Sequence, residues 1–325
     1  MVLDKVRKKF DLSVVKNIEL EDMAIDFTGP DHWLSTLSSD HMIARLTSIP
    51  GFSWPIQQVQ LRVIIRDNNV DIGKLESPFA PASVKGGIVT SSLTQSTMSI
   101  FPTAHSNFCE FIKALATKPS HTFAIKGSAD IVFDLGRIFG VHTLKGVDFI
   151  SDLTLRGLNN IPDISCTSIQ DVHYRNPLSQ DSSAQQNESE EDRSMSNAGY
   201  DLLVEAQFDI VNPSQLSLTL GKIRLAVSTA EGGHPLGIVT MENFTLLQGM
   251  NDARQGTIVF DTSLDSTLHF LKEISVRDQT VALNGFHGTS ANEALTEGLM
   301  ALSTTCVIPR FHSPHKPEPS HVERQ

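Results

Sequence analysis

Phe52-Ser-Trp-Pro-Ile-Gln-Gln-Val-Gln-Leu-Arg-Val63 and Leu216-Ser-Leu-Thr-Leu-Gly-Lys-Ile-Arg-Leu-Ala-Val227 are the two stretches that decide the fold. Phe52, Trp54 and Ile56 alternate with smaller or polar residues, and so do Val59, Leu61 and Val63. Their counterparts, Leu216, Leu218, Leu220, Ile223, Leu225 and Val227, each stand 164 residues further on. Alternation of period two describes a strand with one buried face. In both stretches the alternation slips by one residue at the same place, between Ile56 and Val59 and between Leu220 and Ile223. A slip turns side chains to the opposite face unless the strand bulges, and Gly221 suits a bulge. A shared irregularity is harder to obtain by chance than a shared alternation, so the pair points to an internal duplication.

The duplication extends outward from there. The same offset pairs Ile72-Gly73 with Leu236-Gly237, and Thr122-Phe-Ala-Ile-Lys-Gly127 matches Thr280-Val-Ala-Leu-Asn-Gly285 at an offset of 158. Further strands are predicted at Ile72 to Leu75, Thr97 to Phe101, Thr122 to Lys126 and Asp130 to Asp134. Asp67-Asn-Asn69 and Gly86-Gly87 serve as turns between them. A short helix is predicted after Phe101-Pro102, because Phe108, Phe111, Ile112 and Leu115 make one apolar stripe, and Leu264 to Leu271 is its counterpart. Ser290-Ala-Asn-Glu293 has capping-box spacing ahead of Leu295, Leu299 and Leu302, which predicts a C-terminal helix.

The fold class is therefore mostly β: two tandem immunoglobulin-like β-sandwich domains, each with a short helix, plus a C-terminal helix. The expected boundaries are a basic tail at 1–13, a first sandwich at 14–158, a second at 159–309 and a disordered tail at 310–325. Within the second, 177–199 is an acidic, polar insert with almost nothing to bury and is expected to be disordered.

Composition excludes several functions. With a net charge of −11, the chain lacks the clustered cations that a nucleic-acid backbone requires. Its basic cluster, Lys5, Arg7, Lys8 and Lys9, suits either an anionic membrane surface or a solvated tail. No apolar run is long enough to span a bilayer, and Met-Val-Leu-Asp-Lys does not open a signal peptide, so the chain as written is expected in the cytosol. Cys109, Cys166 and Cys306 form neither a disulfide framework nor a zinc set and read as buried free thiols. The sequons at Asn187 and Asn243 are no more than chance supplies.

No catalytic, cofactor-binding or metal-ligating residue is assigned, and no cofactor is expected. Phosphate-binding glycine loops, a nucleophile elbow, His-Glu-x-x-His and paired Cys-x-x-Cys are all missing from the sequence. His105, beside Ser106, Asn107 and Glu110, is a notional general base but reads more simply as a helix-start histidine. Asp130 and Asp134 share a strand face at about 13 Å, too far apart for glycosidase chemistry. His312-Ser-Pro-His315 could hold a metal only weakly, from within a polar tail. The Phe108, Phe111, Ile112 stripe either lines a lipid groove or packs its helix onto the sheet.

Asn212-Pro213 ahead of the Leu216 strand resembles the Asn-Pro signature of late-embryogenesis-abundant type 2 (LEA-2) domains. Pro50-Gly-Phe-Ser-Trp-Pro-Ile56, Ser99-Ile-Phe-Pro-Thr-Ala-His-Ser106, Gly146-Val-Asp-Phe149 and Leu155-Arg-Gly-Leu158 resemble a fungal family with tandem LEA-2-like domains. That resemblance spans residues 14–309, and the family is similar to a vacuolar-membrane protein implicated in ending autophagy. It implies a non-enzymatic protein at the vacuolar membrane or lumen. The partner is expected to be a lipid or a membrane protein, and a protein-interaction (adaptor) module is the alternative. The chain departs from the family in lacking the usual membrane-spanning helix and in having Ser48-Ile-Pro50 where Asn-Pro is usual.

Overall fold

The computed structural model describes residues 15–46, 56–134, 136–137, 140–175 and 201–312. Phe52, Trp54, the Ser48-Ile-Pro50 segment, Asn187, the acidic insert, the basic tail and His315 lie outside them. The chain is mostly β, with fifteen strands in one continuous sheet among the described residues.

The first half runs β1 (Val15–Asp26), β2 (Leu34–Leu46), β3 (Ile56–Asp67), β4 (Val70–Glu76), β5 (Ala80–Lys85), β6 (Ile88–Ile100), α1 (His105–Thr117), β7 (Ser120–Asp134) and β8 (Val141–Arg156). The second runs β9 (Asp163–Arg175), β10 (Asp201–Asn212), β11 (Leu216–Thr229), β12 (Pro235–Leu246), β13 (Gly249–Asp261), α2 (Asp265–Ile274), β14 (Gln279–Asn284), α3 (Glu293–Leu299) and β15 (Ser303–Ile308).

The pairing order repeats. In the second half β9, β10, β13, β12, β11, β14 and β15 pair in succession, and β15 returns to β9 through a short parallel contact, closing a barrel-like ring. In the first half β1, β2, β6, β4 with β5, β3, β7 and β8 follow the same order, and β8 lies against β1. The slip that the sequence shares between its two halves is a bulge in each. Register shifts between Ile56 and Gln58 on β3, and on both sides of Gly221 on β11. Gly221 takes φ 71°, a left-handed conformation open to glycine at little cost. Ile56, Val59, Leu61 and Val63 are buried, as are Leu216, Leu218, Leu220, Ile223, Leu225 and Val227.

The paired glycines have a steric reason. Gly73 stands opposite Ile100 and Gly237 opposite Phe260, where the chains approach too closely for a side chain. Before each glycine, Ile72 and Leu236 are fully buried. Thr122 to Lys126 and Asp130 to Asp134 belong to one long strand, not two. Gly127, between the two expected stretches, is a close approach, with no room for a Cβ against Arg62 O and Val63. The register of this pairing also differs between halves. Ile65 faces Ile125, whereas Val227, not Thr229, faces Leu283, and a slide of two residues leaves the inward face unchanged.

Strand length sets how the halves join. β7 has 15 residues and covers nearly all of β3, but β14 has only 6 and pairs with just the last four residues of β11. The bare first part of β11 is taken by β1 of the other half, in a parallel pairing from Met23 opposite Leu216 to Asp26 opposite Thr219. The chain from Gly285 to Leu302, instead of extending a hairpin, forms α3. The cap of α3 corrects the sequence expectation. It is Asn292, whose side chain accepts from Ala294 N at 2.9 Å, while the Ser290 hydroxyl accepts from Asn292 N at 3.1 Å.

Candidate interaction surfaces

Three polar side chains that sequence reasoning singled out, His105, Asp130 and Asp134, are engaged in building the fold. His105, the first residue of α1, stacks on Trp33 with ring centroids 3.4 Å apart and planes 4° from parallel. Asp130 is buried on β7 opposite a bulge in β8 at Lys145–Gly146, accepts from Arg62 at 2.6 Å and Gly146 N at 2.9 Å, and is held below the usual carboxylate range against its burial. Asp134 caps the turn after β7 by accepting from Gly136 N at 2.8 Å. His312 is exposed at the end of the described residues, and Asn243 is exposed on β12 at φ 48°. Among the described residues no three His, Cys, Asp or Glu side chains gather as a metal site, and no helix is long and apolar enough to cross a membrane.

Two buried amides, which sequence reasoning left unassigned or read as a family mark, hold one end of the second ring. Asn212 donates to Leu216 O at 2.7 Å and accepts from Ser214 N and Oγ at 3.0 and 2.7 Å, so the Asn-Pro turn is a clasp between β10 and β11. Asn251 donates to Ile210 O, Leu247 O and Gly249 O and accepts from Leu247 N at 2.7 Å. A histidine–carboxylate pair also went unread: His121 Nε2 lies 3.0 Å from Asp67 Oδ1, with the Phe111 ring edge-on to the imidazole. Its signal was weak, since the two residues are 54 apart in sequence.

The apolar stripe of α1 is covered on two sides. Phe108 meets Trp33 and Phe111, and Phe111 meets Phe123 edge-on at 5.2 Å. Across the seam between halves, α3 lies against the other flank of α1. Cys109 Sγ points at Ala294 O (3.9 Å), and Gly298 stands against Ile112 and Cys109. Asn292 Nδ2 donates to Phe27 O at 2.9 Å, and Glu293 N donates to His32 Nδ1 at 3.3 Å. Burial, with a carboxylate partner in Glu297, pushes the Cys109 thiol up to about 12.

The three cysteines are buried free thiols. The parallel contact sets Cys306 opposite Ile164, two residues from Cys166. Burial pushes Cys166 up to about 12 and Cys306 to about 11, so both stay protonated and poorly nucleophilic at neutral pH.

Among the described residues β9, like the far side of β8, presents an open strand edge. β9 pairs with β10 from Asp163 to Arg175, but on its other side it meets β15 only at Ile164 and Ser165. Two register shifts interrupt it, at Thr167 and at Gln170, and beyond them Asp171 to Arg175 run in regular register. Among the described residues no strand covers this stretch, whose side chains alternate between exposed and half-buried.

No family model matches the chain, and no curated protein matches it at significance. Among solved structures, it is similar at TM-score 0.16 and 7% identity to the partial N-terminal region of an enterococcal surface protein, over 94% of this chain and 96% of that one. A likeness of that size carries no argument.

Proposed function

We propose that this chain is a non-enzymatic interaction module, in which two fused β rings present a rigid surface to a protein partner. The observation that carries the reading is the open edge of β9 from Asp171 to Arg175. An unpaired strand offers a row of backbone donors and acceptors to which an extended peptide adds as a further strand. The buried titratable groups described above are engaged in packing and clasps, which fits a binding role better than a catalytic one. Lipid binding, the other expectation, calls for an open apolar groove beside α1, and there the Phe108–Ile112 stripe is taken up by Trp33, Phe123 and α3. The endomembrane setting belongs to the proposal only through the family resemblance.

The test is site-specific photo-crosslinking. A photoreactive residue at His173 in the full chain, expressed in a fungal host, is expected to trap a discrete protein adduct. The same residue at exposed Glu242 on β12 is expected to trap none. Equal trapping at both positions, or a stoichiometric lipid retained in native mass spectrometry, would overturn the reading.

A further inference from the structure

The open stretch of β9 reads Asp171-Val-His-Tyr-Arg175, with opposite charges at its two ends and a histidine at its centre. Its register against β10 is regular, from Asp171 opposite Glu205 to Arg175 opposite Asp201. In an antiparallel pair, successive residues point their N–H and C=O alternately toward the neighbouring strand and away from it. Val172 N–H is turned away from β10, because its acceptor is the Asp171 carboxylate at 2.8 Å. Alternation turns the backbone of Tyr174 the same way, so Val172 and Tyr174 each present one donor and one acceptor on the bare edge. Asp171, His173 and Arg175 are exposed, whereas the Val172 and Tyr174 side chains are half-buried against the core.

We propose that this edge binds a second copy of the chain, β9 pairing antiparallel with β9 about a two-fold axis at His173. In that register Val172 faces Tyr174 of the second copy, and each such pair exchanges two backbone hydrogen bonds. Asp171 lies across from Arg175 of the second copy at both ends. Opposite charges directly across a strand pair stabilise it, and like charges oppose it. The two-fold thus makes the stretch complementary to itself, as an isologous contact requires. Any other axis sets part of the stretch opposite Gln170, where the register against β10 shifts, or carries it past Arg175. The charged neighbours favour the same pairing. Glu205 stands beside Asp171 and makes that end more acidic. Arg175 is held by Asp201 through one nitrogen at 3.5 Å, and a guanidinium with five N–H donors has others for a second carboxylate. Asp171 exchanges its bond from Val172 N–H for Arg175 of the second copy, while that N–H passes to a backbone carbonyl. At the axis the two imidazoles meet, each with Asp171 of its own chain beside it, 3.0 Å from Nδ1.

This pairing rests on the reading of β9 as a binding edge and names its occupant. In the crosslinking experiment above, the adduct at His173 is expected at twice the mass of the chain. An adduct of any other mass keeps β9 as a binding edge but overturns the second copy as its occupant, and no adduct overturns both. Sedimentation of the purified full chain, at a concentration on the order of 100 μM, is expected to show a dimer. Asp171→Arg and Arg175→Asp are each expected to weaken it by about tenfold or more, since each sets like charges across both ends. An equimolar mixture of the two variants is expected to dimerise again, because every arginine then faces an aspartate. A purely structural role for either residue gives no such rescue. Val172→Pro removes an outward N–H without touching the ladder to β10, a place where an edge strand tolerates proline. It is expected to abolish the dimer while leaving the thermal melt of the monomer cooperative. A chain that stays monomeric, a dimer that survives Val172→Pro, or a mixture that fails to recover overturns the proposal.

Discussion

Gly298 of α3 lies against Ile112 of α1 so closely that an added methyl would stand 2.6 Å from Cγ2 and 2.7 Å from Cβ of the isoleucine. In an open helix, replacing glycine by alanine stabilises by about 1 kcal/mol. Here crowding decides the sign, because overpacking a filled contact costs about 1–3 kcal/mol. Gly298→Ala is expected to destabilise the chain, and Gly298→Leu to do so more. Urea denaturation of both variants checks the order.

The strand glycines should rank by how hard the opposite backbone presses. At Gly237 a Cβ would collide with Val259 O and also stand 3.0 Å from Phe260 Cα, whereas at Gly73 the nearest atom is Ser99 O at 2.8 Å. Gly237→Ala is thus expected to cost more than Gly73→Ala. Gly221→Ala has room, with Thr28 Cγ2 at 3.4 Å, so its cost is limited to the left-handed backbone, about 1–2 kcal/mol. Thermal melts of the three variants give the ranking.

Asn212 and Ser96 should move stability in opposite directions. Asn212→Ala strands Ser214 N and weakens the hold on Leu216 O, both buried, at a cost of about 1–3 kcal/mol. Ser96 Oγ is buried on β6 without a hydrogen-bond partner. Ser96→Ala removes that burden and is expected to leave stability unchanged or raise it. A loss above about 1 kcal/mol for Ser96→Ala would show that the hydroxyl is satisfied after all.

Alkaline pH should weaken the fold through its thiols. Unfolded cysteines lose their protons near 9.0, whereas burial holds Cys109 and Cys166 up to about 12 and Cys306 up to about 11. Between those values the native chain binds more protons than the unfolded one, so stability falls as pH rises. Below pH 9 these groups contribute no slope. Cys109→Ala is expected to flatten the alkaline loss, as read by denaturation midpoints on either side of pH 9.

Much of this was legible because it is written in local patterns. The shared slip at Ile56 and Leu220 became a bulge in both halves, and the stripe from Phe108 to Leu115 became α1, since alternation and helical spacing depend on near neighbours. Strand β7 reads as two pieces in the sequence, and only the partner strand shows that Gly127 between them is a close approach. Ser290 misled similarly: Asn292, two residues on, is an equally good cap, and the chain path decides between them. The seam escaped sequence reading altogether. It follows from β14 being shorter than β7, and nothing local to Met23 signals that its neighbour is Leu216. The candidate surface was equally silent, because an open edge is defined by what fails to cover it.

The β1–β11 pairing also makes the chain's birth asymmetric. Met23 leaves the ribosome about 190 residues before Leu216, its partner. At roughly 5–20 residues per second that is a wait of about 10–40 s. Through that interval a nascent first ring carries the Met23–Asp26 end of β1 bare, the kind of edge that recruits other chains. The length of the polypeptide between the two strands is therefore a clock, and slowing elongation across the second ring should raise aggregation without altering a single native contact.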